Sequence, residues 1–292
     1  MGKTIAIAGI NTTLGKLFAE KLTANNNTVI ELTDSAQLAM QPVDMVFDCS
    51  FPQTEKGSNI AEGLRFTKDL CLTAREAGVD SFVMVSSQRV YSSARDQAAT
   101  EEEPVNPDSI FGMGIYAAEM ICDGILGDIA HTSLRMATLY GENSNPGFIN
   151  NLIKQATSGK PFVAHGYEQI YGLITYQDAS DALIAVAESD PSTWESVYNV
   201  GSQREGYTYD YILRTMSDIA KRHGYQSSFS VNYDCPWQNT SLDATRFMEQ
   251  FGWSSAGSLS QSLEDVFDHY VVVSENAPAR KRGFGLFGRK SS

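Results

Sequence analysis

The stretch IAIAGINTTLGKL, residues 5–17, sets Gly9 and Gly15 between an apolar run and a helix-forming one. Thr12 lies between them, and Leu14 precedes the second glycine. Such a turn lets backbone N–H groups at a helix start face a pyrophosphate. Two glycines around a turn also occur without any ligand, so the signal needs company. Glu31 and Asp34 follow the next strand-like run and could bind a ribose, or merely solvate a strand end. No Lys or Arg occurs between Lys21 and Lys56, so a 2′-phosphate would find no partner in that segment. A dinucleotide bound here would be NAD rather than NADP.

A second polar cluster ends the run SFVMVSSQRVYSS, residues 81–93, where Ser86, Ser87, Gln88, Arg89 and Tyr91 follow an apolar core. Ser86 and Ser87 could equally cap a strand end. Asp48, Tyr91, Tyr140 and Glu142 bear protons near the ends of apolar runs. They are candidates for a general base near a substrate pocket, or for hydrogen-bonded structural roles. The histidines, His165 among them, show no metal spacing, and Cys49, Cys71, Cys122 and Cys235 form no CxxC pair. Reduced, mostly buried thiols and no metal site are expected.

These residues need a scaffold, and the periodicity supplies one. Strands are predicted at 4–9, 28–32, 43–50, 81–87 and 131–141, with helices at 13–24, 57–78 and 109–127 between them. That alternation argues for a parallel sheet covered on both faces. Beyond Gly141 the rhythm loosens. Helices are expected at 147–158, 177–189, 208–223, 243–251 and 259–272, and strands near 162–164, 171–175 and 196–202. Residues 1–140, with returns near 176–202, make one domain. Residues 141–275 make a smaller one, and 276–292 a basic tail.

The chain has 292 residues, 42% of them hydrophobic, and a formal charge of −13. That balance disfavours nucleic acid, because phosphate binding needs basic patches. No apolar run approaches the roughly 20 residues of a membrane span, and the N-terminus has no signal-peptide layout. A cytoplasmic protein is expected. The end ARKRGFGLFGRKSS holds five basic residues, leaving 17 in the rest of the chain against all 35 acidic ones. It reads as a solubilising terminus, or as a segment docking Phe284, Leu286 and Phe287 onto an acidic partner or membrane surface.

The whole resembles the extended short-chain dehydrogenase/reductase family, the NAD-dependent epimerase/dehydratase type. Gly9 and Gly15 match the outer glycines of the GxxGxxG fingerprint, with Thr12 at the middle one. FVMVSSQRVYSS is similar to the family's FVxVSSxxVYG, LRMATLYGE (134–142) to its lRxxnvYGp, and VYNVGS (197–202) to its vyNvgs. ELTDSAQL (31–38) resembles the DLTD segment of dTDP-4-dehydrorhamnose reductases. Only 11 residues separate Leu32 from Asp44, so the family's extra strand–helix unit is missing and the adenosine end is trimmed.

The resemblance implies a Rossmann-like doubly wound parallel sheet with a small mixed α/β C-terminal domain. It implies a cofactor held at Gly9, Thr12, Leu14, Gly15 and Glu31 or Asp34. Ser87 takes the position of the Ser or Thr that hydrogen-bonds the substrate carbonyl. Asp48, Gln88, Tyr91 and Tyr140 are expected near the substrate.

One departure carries weight. The family's SPYGxSKLAAE sets Tyr and Lys four apart on one helical face; the Tyr moves a proton and the Lys lowers its pKa. Here SIFGMGIYAAE, residues 109–119, keeps the register and puts Phe111 and Ile115 in those slots. Tyr171 and Tyr233 fall near the positions of two arginines that clamp a nucleotide diphosphate in the family. Tyrosines 167, 171, 176, 207, 209 and 211 could line a cleft or pack the core. The expectation is a divergent member with lost Tyr/Lys catalysis, binding NAD or no cofactor at all, and acting as a ligand-binding, regulatory or scaffold protein. The alternative is an epimerase, dehydratase or reductase of a sugar-like substrate with a rebuilt catalytic group. The partner would be a small molecule or a protein, and a homodimer through helices 57–78 and 109–127 is common in the family.

Overall fold

The computed structural model describes residues 2–142, 147–166, 168–202, 206–233 and 235–276. Tyr167 and nearly all of the basic tail lie outside the described residues. In chain order the first half runs β1 (Thr4–Ala8), α1 (Thr13–Ala24), β2 (Thr28–Leu32), β3 (Met45–Asp48), α2 (Gly57–Ala77), β4 (Ser81–Ser87), α3 (Ile110–Leu126) and β5 (Ala130–Met136). The second half runs β6 (Thr138–Tyr140), α4 (Phe148–Ala156), β7 (Phe162–His165), β8 (Ile170–Tyr171), β9 (Leu173–Thr175), α5 (Tyr176–Glu188), β10 (Val197–Val200), β11 (Tyr207–Thr208), α6 (Tyr209–Arg222), β12 (Phe229–Asn232), α7 (Thr245–Phe251) and α8 (Leu259–Asn276).

Six strands form one sheet in the order β10-β5-β4-β3-β1-β2, and every pairing in it is parallel. The chain moves outward from β1 to β2, then returns to β3 on the other side. Right-handed crossovers therefore put α1 on one face and α2 and α3 on the other. Accordingly α1 packs against α5, and α2 runs along α3. Helices α1, α3, α5 and α6 each open on a Ser or Thr whose side chain accepts a backbone N–H of the first turn.

The predicted strand 131–141 is two strands, because β6 leaves the sheet after Met136 to pair with β9. Between β2 and β3 there is a 3₁₀ turn, Ser35–Met40, which the periodicity did not announce. Its buried Leu38 is the only side chain it sinks into the core. Among the described residues no further strand lies beyond β2, which is the edge of the sheet. A separate apolar core joins α4, α6 and α8 through residues such as Ile153, Leu213 and Phe267.

One buried polar network ties the main sheet to α3. Arg135 of β5 donates to Glu119 of α3 at 2.7 and 3.1 Å and to the Tyr91 hydroxyl at 2.8 Å. Tyr91 donates to Asn199 of β10 at 2.9 Å, and the Ser86 hydroxyl donates to Glu119. The Arg135 and Glu119 side chains are 7% and 5% exposed, so neither charge can turn to water. Asp48, at the end of β3, is also fully buried. It accepts from the Ser50 N–H (2.9 Å), the Ser50 hydroxyl (2.6 Å) and the Thr67 hydroxyl (3.2 Å). Burial raises its pKa, and those hydrogen bonds oppose the shift only in part.

Two stability predictions follow from these groups. Glu119→Ala strands a buried guanidinium and should cost about 3–5 kcal/mol in urea unfolding. A loss below about 1 kcal/mol would contradict a buried pair. Asp48 has a raised folded pKa, so its contribution is favourable below the unfolded value near 3.9 and is lost as pH rises through the folded value. Asp48→Asn should therefore be more stable than wild type at pH 7.5, with the gain vanishing towards pH 4. A gain that grew on acidification would contradict this sign.

Candidate functional site

A cleft of about 940 Å³ opens at the carboxyl ends of the sheet strands. Loops after β1, β3 and β4 line it, together with α3, β6 and residues of the second core. It begins where the strand order reverses between β1 and β3, the place where open α/β sheets bind ligands.

At the α1 end, Thr12, Thr13 and Leu14 face the cleft. Gly9 has φ +79°, and a Cβ there would sit 2.7 Å from the Cys49 carbonyl carbon and oxygen. A Cβ on Gly15 would sit 2.3 Å from the Gly9 carbonyl oxygen. Both glycines thus let α1 press its N-terminus onto the strand ends. Thr12 turns its hydroxyl inward, donating to the Gly9 carbonyl at 2.8 Å and accepting the Gly15 N–H at 3.0 Å. One donor of the first turn is therefore used internally. Thr13 and Leu14, whose N–H groups lie in the first turn and have no intrahelical partner, line the opening at the positive end of α1. Glu31 accepts from the Asn11 side chain at 2.8 Å, beside the turn. Asp34 is taken up locally, accepting from Ala36 N–H at 2.9 Å in a capping box with Gln37. Of the two acids, Glu31 is the one next to the glycine turn.

The wall across from α1 is α3. Phe111 and Ile115 both line the cleft, and Ile115 is 2% exposed. Phe111 packs on Phe51 with ring centroids 6.3 Å apart. A Cβ on Gly112 would be 2.2 Å from the Arg89 carbonyl, and one on Gly114 would be 2.5 Å from Ile60. These two glycines bring α3 against the loop after β4 and against α2. Glu55 accepts the N–H groups of Ile110 and Phe111 at 2.9 and 3.3 Å, and lies 3.9 Å from Arg89. Ser87 lines the cleft and accepts the Arg89 N–H at 3.3 Å. Gln88 also lines it and donates to Thr138 at 3.0 Å.

Other expected residues stand elsewhere. Asp48, Tyr91 and Tyr140 are not among the residues lining the cleft. Asp48 and Tyr91 are held in the buried networks described above. Tyr140 belongs to the second core, and burial raises its pKa. Glu142 faces His269 at 3.4 Å. Tyr171 and Tyr176 do reach the cleft, whereas Tyr233 is exposed and does not line it. Burial pushes Tyr171 up to about 12, helped by Tyr209 and Cys235, and burial raises Tyr176 as well. Phe51, Glu55, Thr138, Phe148, Gln238 and Thr240 are among the further lining residues. Phe148 opens α4, the others sit in loops or short strands with no periodicity, and only the acid just ahead of a helix, Glu55, carried a readable signal. Among the described residues lining the cleft, Arg89 is the one cation and Glu55 the one carboxylate.

All four cysteines are free thiols, with Cys71 and Cys122 buried and Cys49 and Cys235 partly so. Among the described residues no group of three or more His, Cys, Asp or Glu side chains could hold a metal ion. No described helix is long and apolar enough to cross a membrane.

Comparison with known structures agrees with this architecture. The UDP-N-acetylglucosamine 4-epimerase of Bacillus cereus superposes with a TM-score of 0.79 at 20% identity, over 94% of this chain and all of that one. The UDP-glucuronic acid 4-epimerase of Bacillus cereus, solved in complex with NAD, gives 0.80 at 19% identity over 92% and 99%. The low-salt glycan biosynthesis protein Agl12 of Haloferax volcanii is 23% identical over 217 residues, spanning 73% of this chain and 68% of its own. The model of the NAD dependent epimerase/dehydratase family matches residues 5–201. With a six-stranded parallel Rossmann-like sheet and a family match over most of its length, the chain belongs to the NAD-dependent epimerase/dehydratase family of extended short-chain dehydrogenases/reductases.

Proposed function

We propose that this chain is a dinucleotide-binding member of its family that works without Tyr/Lys proton transfer, in a ligand-binding, regulatory or scaffold role. The observation that carries the reading is the pair on α3. Phe111 and Ile115 stand on the cleft wall at the helical spacing where the family pattern sets its phenol and its ammonium. A phenyl ring has no proton to give, and a butyl group offers no charge. The remaining cleft phenols do not replace the couple: burial holds Tyr171 near 12 and raises Tyr176, with no lysine in the described lining. General acid–base assistance is worth roughly 10²–10⁴-fold, so its loss favours a binding role over turnover.

The residues present fit NAD. When bound, that group would supply a hydride acceptor. The α1 terminus, with Thr13 and Leu14, would hold the pyrophosphate. Glu31 would accept hydroxyl hydrogens of the adenosine ribose and repel a 2′-phosphate. The single 3₁₀ turn after β2 leaves that end of the site short. A catalytic reading with a rebuilt proton donor is favoured by one observation, the place of Ser87 on the cleft wall.

A thermal-shift series with NAD⁺, NADH, NADP⁺ and NADPH tests the reading. Saturable stabilisation by NAD(H), of about 2.7 kcal/mol at a hundredfold excess over Kd, is expected, with weaker effects from NADP(H). Glu31→Ala should reduce NAD affinity by about tenfold. No shift with any dinucleotide would sink the cofactor assignment. Turnover of a nucleotide sugar by the native chain would sink the non-catalytic role. The double variant Phe111→Tyr, Ile115→Lys should still leave UDP-glucose unprocessed, and robust turnover by it would show that the rest of the site is intact.

A further inference from the structure

The cleft stops at the glycine turn. β2 is the edge of the main sheet, so among the described residues no strand flanks Glu31 on its outer side. The chain crosses from β2 to β3 through one 3₁₀ turn, Ser35–Met40. That turn packs on α2 and sinks Leu38 into the main core. The flank of the sheet between β2 and α2 is thereby covered by the chain itself. Accordingly, none of the residues from Gly15 to Asp48 lines the cleft.

Reading a base takes a flat face to stack on and fixed donors and acceptors at the ring edge. Polar groups of the turn are spent on the turn. The Gln37 carboxamide oxygen accepts the N–H groups of Thr33 and Asp34 at 2.7 and 2.9 Å, and Asp34 accepts the Ala36 N–H at 2.9 Å. Stacking faces are missing as well. Phe18 is the one aromatic residue between Gly9 and Val46. It is fully buried against Phe47, with ring centroids 4.6 Å apart. Phe51, on the loop after β3, packs on Phe111. No Lys or Arg occurs between Lys21 and Lys56 to lie over a purine.

We propose that the purine of a bound NAD has no pocket in this chain and stands in solvent, so that the site accepts nicotinamide dinucleotides whatever base they carry. The proposal deepens the cofactor reading and rests on it: the α1 terminus would hold the pyrophosphate and Glu31 the ribose. Both contacts go to parts that every such dinucleotide shares. Selection is then made at the ribose, where Glu31 repels a 2′-phosphate, and not at the base.

Isothermal titration calorimetry of the full chain tests it, comparing NAD⁺ with its hypoxanthine, guanine and etheno-adenine analogues, and with adenosine as the base-bearing probe that lacks phosphate. The dinucleotides should bind within about fivefold of one another, and adenosine should give no saturable heat. Glu31→Ala should weaken all of them by the same factor, about tenfold, because the ribose is common to them. In its complex the etheno-adenine ring should stay open to fluorescence quenching by acrylamide. An analogue bound more than about fivefold more weakly than NAD⁺ would overturn the proposal. So would saturable adenosine binding, a Glu31→Ala loss confined to NAD⁺, or an etheno-adenine ring shielded from the quencher. NAD⁺ binding with discrimination among bases defeats this proposal alone. Binding by no dinucleotide defeats the cofactor assignment and this proposal with it.

Discussion

The ion pair between Arg135 and Glu119 sets the position of everything the long third helix shows to the cleft. It joins β5 to α3 inside the protein, where both charges are cut off from water. Such a pair contributes little net stability but cannot lose one partner cheaply. Tyr91 and Asn199 extend it to β10, and Ser86 extends it to the end of β4. Three strands, β4, β5 and β10, are therefore registered against one helix. Gly112 and Gly114 then allow the approach that the network demands, since a side chain at either would meet the Arg89 carbonyl or Ile60. Phe111 and Ile115 face the cleft because α3 has no other way to lie.

That placement gives the cleft an unusual chemical balance for its fold. One end keeps the geometry of an anion site: a helix terminus pressed onto the sheet by Gly9 and Gly15, with Glu31 nearby. The opposite wall is hydrocarbon at α3 and aromatic at Phe148 and Tyr171. Nothing there lowers the pKa of a phenol, and burial without a cation raises it. The lone Arg89–Glu55 pair lies half-exposed at 43% and 58%, where charge pairs are weak. It latches the loop after β3 to the start of α3 and is poorly placed to clamp a diphosphate on its own.

The parallel sheet was legible in the sequence, though not its strand order, because each strand is a short apolar run and each helix begins or ends on a local signal. Ser109 and Thr12 cap helices, and Gly78 closes α2 in the left-handed conformation at φ +68°. Gly9 and Gly15 stood out between a strand and a helix, whereas Ser87, Phe111 and Ile115 were singled out only through the resemblance to the family's motifs; those three line the cleft. The departure of β6 from the sheet was not, since VYG-like residues 138–140 read as more of β5 until β9 is there to pair with them. Tyr91 illustrates the harder limit. Its position after β4 is readable, but whether it points at ligand or at Arg135 depends on a side chain 44 residues away. Gln238 and Thr240 reach the cleft through a bridge to Ile170 that no local pattern encodes.

The most direct measurement pairs calorimetry with spectroscopy. NAD⁺ would be titrated into the protein, and the loaded complex would then be mixed with UDP-glucose and UDP-N-acetylglucosamine while the absorbance of reduced nicotinamide is followed. The structure predicts heat from one saturable dinucleotide site and no growth of the reduced-nicotinamide band above the spontaneous rate. Burst formation of NADH, or the absence of any binding heat, would contradict it.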